Sequence, residues 1–339
     1  MPFLQGTATD YLDLLDQFVT FVTDTAAQQP AGTPGPGMGP TEAWTVRANT
    51  TSGFTVDGNV YLEAPGISGT EEIFMNIGTL SDVGNQYFLW RLQGATEYNS
   101  VIQAAGDDID AQPGAINIFE SSTLRNPRFL LDDDSFDFTI VANGRRAFIK
   151  ATIGTSIETM FIGYLVPYAN PTEYPVPLFI GGSHNTDAAT TTTSIDHIWP
   201  FYDLTASTAD GSSAYLRGTD GVWYRLRKTA GVMEDKGEET EETLLMHPPS
   251  FQDDTGDVIY TNETPTPEHI KWPLTAVINQ GGGPGTPQFQ PMGILDGVFW
   301  TPGFNLNTDD LLQDGGIDFE VFENITRKGY RDFCCVKLV

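Results

Sequence analysis

At 339 residues the chain can hold one large or two ordinary domains, and its 40% hydrophobic and 12% aromatic content excludes disorder for most of its length. Gly (35) and Pro (22) are abundant and only 18% of residues are charged, a mix that suits short strands and tight turns and argues against a helical bundle. With 45 Asp plus Glu against 17 Lys plus Arg the net charge is −28, which repels nucleic-acid phosphates and anionic lipid.

An acidic excess of this size fits solubility through self-repulsion, a mating surface for a basic partner, cation binding, or tolerance of high salt. The first residues show no basic segment leading into an apolar one, and no window approaches the ~20 apolar residues that span a bilayer. Neither a signal peptide nor membrane insertion is expected. Cys334 and Cys335 are adjacent; on a strand they point to opposite faces and cannot staple distant segments. A reducing, cytoplasmic folding compartment follows as an expectation, and the sequons at Asn49, Asn262 and Asn324 then carry no glycosylation.

In chain order, residues 1–27 read as an amphipathic helix. Thr9 is the expected N-cap, Asp10 and Asp13 suit the positive end of the macrodipole, and the helix ends near Thr25. Leu12, Leu15, Phe18, Val19 and Val22 recur at helical spacing, with Leu14 and Phe21 widening the stripe. Residues 28–40 (QQPAGTPGPGMGP) read as a linker. On such a tether the helix can fold back on its own sheet or dock on a neighbour, so Leu12, Leu15, Phe18 and Val22 are the candidate subunit interface.

Residues 41–230 read as the main β domain. Its strongest signal is 136–142, then Asn143-Gly144, then 145–153, read as a hairpin with a type I′ turn. That register puts Ile140 opposite Ala147, Phe138 opposite Ile149 and Phe136 opposite Ala151 on one face, with Asp137 meeting Lys150 on the other. Three more Asp-Gly pairs predict hairpins. Asp57-Gly58 would pair Phe54 with Tyr61, Asp220-Gly221 would pair Tyr215 with Leu226 and Arg217 with Tyr224, and Asp296-Gly297 would pair Ile294 with Phe299. Further strands are expected at 72–77, 87–92, 115–120, 158–166, 195–199, 274–279, 317–325 and 333–338. Residues 231–266, with the acidic run 234–242, read as a loop or insertion, and 267–339 as a C-terminal β region that completes or packs on the main domain. The expected fold is mainly β, with sandwich or jelly-roll-like antiparallel layers and an N-terminal amphipathic helix.

Motifs that carry chemistry are sparse. His184, His197, His247 and His269 lack metal-ligand spacing, and the glycine run at 281–285 is interrupted by Pro284. The Asp196-His197 pair would face opposite ways on a strand. Two acidic clusters, Asp132, Asp133, Asp134 with Asp137, and Asp253, Asp254 with Asp257, have the oxygen chemistry of a hard-cation site, but solvated turns explain them more simply. Trp199 to Tyr202 and Trp223-Tyr224 are aromatic candidates for sugar stacking, though core packing is the commoner use of such rings. No catalytic, cofactor or metal residues are therefore assigned, and no enzymatic activity is expected.

Several strings resemble those of tailed-bacteriophage virion structural proteins: residues 6–16 (GTATDYLDLLD), 141–146 (VANGRR), 164–183 (YLVPYANPTEYPVPLFIGGS), 295–300 (LDGVFW) and 329–334 (GYRDFC). The resemblance touches both ends and the middle of the chain. It implies a virion component of the tail region, made in the host cytoplasm, homo-oligomeric and associated with other tail or neck proteins. It supplies no catalytic residues. The alternatives are a neck or collar decoration subunit and a surface β-sandwich that binds a host receptor or glycan. The stiff segment 174–177 (YPVP) suits an edge or inter-subunit position.

Overall fold

The protein is described from a computed structural model covering residues 2–23, 38, 41–49, 58–69, 71–82, 87–101, 112–115, 127–183, 214–226, 243–247, 270–279, 289–302, 306–323 and 332–338. The linker at 28–40 except Met38, the acidic run 234–242, the Asp57 turn with Phe54, the strand expected at 115–120 except Ala115, the strand expected at 195–199, the cluster around Asp253, and His184, His197 and His269 lie outside them.

The described strands are antiparallel and fall into three sheets. The central one has the order β1 (Phe3–Ala8), β7 (Phe136–Ala142), β8 (Arg146–Ile153), β9 (Ser156–Tyr164), β11 (Leu178–Gly182), β12 (Ala214–Arg217), β13 (Trp223–Arg225). A first outer sheet runs β2 (Thr45–Asn49), β3 (Asn59–Ala64), β4 (Ile73–Asp82), β5 (Tyr87–Ala95), β6 (Arg128–Leu131). A second outer sheet runs β14 (Thr243–His247), β15 (Trp272–Asn279), β16 (Phe289–Pro302), β19 (Asp332–Lys337), β18 (Ile317–Glu323), β17 (Leu311–Asp314). The short β10 (Val166–Pro167) pairs with β16 beside this path.

The central sheet is buried on both faces, which explains why β7 to β9 read as nearly continuous apolar runs. Phe136, Phe138, Ile140, Ile149 and Ile162 join one core with Ile77, Trp90 and Phe129 of the first outer sheet. The alternate residues Val141, Phe148, Phe161 and Phe179 join a second core with Leu274, Val298, Phe322 and Val336 of the second outer sheet. Cys334 belongs to this second core and Cys335 to a smaller cluster on the far side of the sheet, so the neighbouring thiols do point oppositely. Both are free and buried, and burial pushes the Cys335 thiol up to about 12.

The N-terminus departs from the expected helix in three respects. Residues Phe3–Ala8 form a strand that pairs with β7, and among the described residues of this segment the helix is Tyr11–Thr23 (α1). The cap is Asp10 rather than Thr9: Asp10 Oδ1 accepts the Leu12 and Asp13 backbone N–H at 2.8 Å each, while Asp13 Oδ2 accepts the Thr9 N–H at 2.8 Å. Leu15, Phe18 and Val22 are buried in the first core and Leu12 packs against it, so this stripe is closed over by the chain's own sheets and is no subunit interface. Each such side chain contributes about 1.5–3 kcal/mol by burial, enough to hold a short helix with no basic residue in its last turn.

Turn chemistry set three registers differently from the expected ones. Asn143 Oδ1 accepts the N–H of Arg145 (2.8 Å) and Arg146 (3.0 Å), which moves the tip of the β7–β8 hairpin one residue on, to Gly144-Arg145. Ala142 then faces Ala147, Phe138 faces Ala151, and Lys150 faces Thr139 rather than Asp137. The apolar face is unchanged because the shift is an even number of residues. At the second turn Gly218 N–H bonds Val222 O at 2.7 Å and Gly221 has φ +83°, a three-residue loop that pairs Leu216 with Tyr224 and Tyr215 with Arg225. Asp296-Gly297 makes no hairpin: it lies within β16, where the pairing with β15 jumps between Pro273/Phe299 and Thr275/Ile294, a bulge around Gly297 (φ +73°). Residues 231–266 are not loop throughout, since Thr243–His247 pairs with β15 and buries Leu244 and Met246 in the second core.

Candidate functional site

The most concentrated polar chemistry lies between the central sheet and the second outer sheet. Strand pairing aligns Gln5, Thr139, Lys150 and Thr159 in a row across β1, β7, β8 and β9. They share the face of Phe148 and Val141, which otherwise feeds the second core. Lys150 Nζ contacts Glu320 of β18 and Asp309, which lies ahead of β17. The Lys150 and Glu320 side chains are 3% and 5% exposed, whereas that of Asp309 is 55% exposed. Glu320 Oε1 also accepts the Thr139 hydroxyl at 3.1 Å, and Glu320 Oε2 accepts Gln5 Nε2 at 3.2 Å. A buried lysine between two carboxylates, with two donors on one of them, can act as an ionic clasp or as a nucleophile beside an acyl group.

A second node joins the same two sheets. Arg146 is fully buried, its Nε 3.6 Å from Asp296 Oδ2, its Nη1 donating to Val141 O at 3.0 Å, and its guanidinium 6.0 Å from the Phe161 ring centroid. Burial holds this guanidinium below the usual arginine range, and Asp296 opposes that shift. Asp296 also accepts Asn143 Nδ2 at 2.8 Å, and Trp44 Nε1 donates to Asn143 O at 2.8 Å. On β9, Gly163 opposes Arg146, and a Cβ there would lie 2.4 Å from Arg145 O, so only glycine allows this approach.

On the first outer sheet, the face turned away from the first core carries a different set. Asn76 Nδ2 donates to Asn59 Oδ1 (3.2 Å) and Gln93 Oε1 (3.4 Å), and the Tyr61 and Tyr98 rings sit 5.7 Å apart. These tyrosines, Asn76, Gln112, Phe74 and Arg47 line a small, shallow cleft. Asn76 is 1% exposed, and its Oδ1 accepts no hydrogen bond among the described residues.

The other candidates resolve individually. Asp132 Oδ1 accepts the N–H of Asp133 and Asp134, a turn between β6 and β7, and Asp137 accepts the Thr7 hydroxyl at 2.7 Å. Trp223 donates Nε1 to Gly114 O at 3.2 Å and Tyr224 is buried with its hydroxyl on Asp220, so this pair is packing rather than a sugar platform. Tyr174 is also buried, its hydroxyl on Arg217 O, and Val176 packs on the first core, so the 174–177 segment is fastened within its own chain. Sequence reasoning missed Glu320, Asp309, Arg146, Asp296 and Asn76. Only Asp296 had a local signal, its Asp-Gly pair. No protein-family model matches the chain, and no curated protein is similar to it.

Proposed function

We propose that the chain is a non-enzymatic structural subunit of a tailed-phage virion, built as sandwich or jelly-roll-like layers and assembled with copies of itself and other proteins in the tail or baseplate. The observation that carries this reading is the use of buried charge. Lys150–Glu320 and Arg146–Asp296 each fasten the central sheet to the second outer sheet, a use that favours a rigid building block. The strings that resemble virion proteins also converge: Asp296 meets Asn143 and Arg146, and the Tyr164 N–H bonds Arg145 O at 3.1 Å. Immunogold labelling of purified virions with antibody against this chain tests the proposal. Gold at the tail end is the expected result, and gold at the head–tail junction would move the subunit to the neck or collar. Unlabelled particles whose other tail proteins label well would remove the virion reading.

A second reading, host-glycan binding at the virion surface, is favoured by the tyrosine-walled cleft, where the Asn76 carbonyl oxygen accepts no hydrogen bond among the described residues. Sugars offer hydroxyl donors for such an oxygen and apolar faces for aromatic walls. Binding on an array of host surface glycans, weakened by Tyr98→Ala, is expected under this reading. An array without signal rejects it.

A further inference from the structure

We infer that Lys150 and Glu320 become joined by an amide bond, formed by the fold itself with Asp309 as proton carrier. The two side chains come from different sheets and touch where both are nearly inaccessible to water, 3% and 5% exposed. Beside them lies the Phe148–Phe322 ring pair, with centroids 5.1 Å apart, each ring two residues from the charged group on its own strand. In such surroundings the ammonium–carboxylate pair has lost its hydration and its two groups lie at contact, and the condensation begins with transfer of one proton from Lys150 to Glu320.

The surroundings divide the roles. Glu320 is the acyl partner because its oxygens accept from the Thr139 hydroxyl (3.1 Å) and Gln5 Nε2 (3.2 Å), donors placed to stabilise negative charge as the carbonyl is attacked. Asp309 is the proton carrier. Its carboxylate touches Lys150 Nζ and is half exposed, giving a path to solvent. It is also the one non-glycine residue with positive φ (+68°) among the described residues, pinned there by its N–H on Val321 O at 2.9 Å.

The step balances. The Lys150 nitrogen lone pair attacks Glu320 Cδ and a C–N bond forms. Asp309 takes the proton released by that nitrogen and passes it to the departing hydroxyl. The C–O bond breaks, one water leaves, and Asp309 returns to a carboxylate. In water such a condensation is opposed by the hydration of both ions, whereas here the fold has already removed that hydration and the product carries no buried charge.

Intact-mass spectrometry of the full chain under denaturing conditions tests this. The expected mass is that of the sequence less one water, with a tryptic map that joins the Lys150 peptide to the Glu320 peptide and shows no cleavage after Lys150. Lys150→Arg, which keeps the charge but lacks the amine, is expected at its full sequence mass; Asp309→Ala is expected to lose the water much more slowly. An unmodified chain at its full sequence mass would overturn the inference, and this outcome does not depend on any variant folding. A joined peptide running through Asp309 instead of Glu320 would overturn the assignment of the acyl partner.

Discussion

Phe18→Ala is expected to destabilise the protein by about 3–5 kcal/mol, the range for removing a fully buried ring. Phe18 is wholly buried, its ring centroid 5.9 Å from that of Trp44 and 6.2 Å from that of Trp90, and Trp90 Nε1 donates to Tyr11 O at 3.0 Å. The helix is thereby tied to the first outer sheet by packing and by a buried hydrogen bond. Deleting residues 1–30 removes more: the six-residue pairing of β1 with β7, Gln5 from the polar row, and the apolar face of α1. That truncation is expected to be insoluble or to lack a cooperative unfolding transition. Urea denaturation of Phe18→Ala and circular dichroism of the truncation check the pair. A truncated chain that stays a folded monomer would show that the helix stabilises something other than its own core.

Asp296→Ala is expected to cost about 3 kcal/mol, the low end for breaking a buried ion pair, because Asp296 is partly exposed and lies 3.6 Å from Arg146. The loss arises from two places. Arg146 keeps its charge in a fully buried position, and the Asn143 amide loses its acceptor at the tip of the β7–β8 hairpin. Asp296→Asn keeps an oxygen for Asn143 and should fall between wild type and Asp296→Ala. The double variant Arg146→Met with Asp296→Leu should recover most of the loss, since replacing a buried pair by apolar side chains is often near neutral. Thermal unfolding of the four proteins checks this order. A double variant less stable than Asp296→Ala would show that the Arg146 bond to Val141 O, and not the ion pair, supplies the stability.

The positions of eight of the nineteen described strands were legible because the signal is local. Alternating apolar residues bounded by turn residues identified β4, β5, β7, β8, β9, β15, β18 and β19 to within a few residues. The face shared by Phe138, Ile140 and Ile149 was legible for the same reason. Registers were less so. Asn-Gly and Asp-Gly pairs mark a bend, but its tip depends on where the Asn or Asp side chain bonds, as Asn143 shows with Arg145 and Arg146. Strand β1 was hidden because Gln5, Gly6 and Thr7 interrupt its apolar pattern, and its evidence is the partner strand β7, more than 120 residues away.

Composition and periodicity by themselves determined a mainly β, acidic protein with two thiols that do not meet, because those properties depend on each residue and its nearest neighbours. Only the tertiary structure decided what the helix covers and which charges are paired. The Phe18 stripe has the same pattern whether it faces a neighbour or its own sheet, and burial alone separates the two. Lys150 meets Glu320 across 170 residues and Asn143 meets Asp296 across 153, so no local spacing could announce either pair. Such contacts exist because two sheets stack, and desolvation in that layer is what gives the charged groups their pairing and their chemistry.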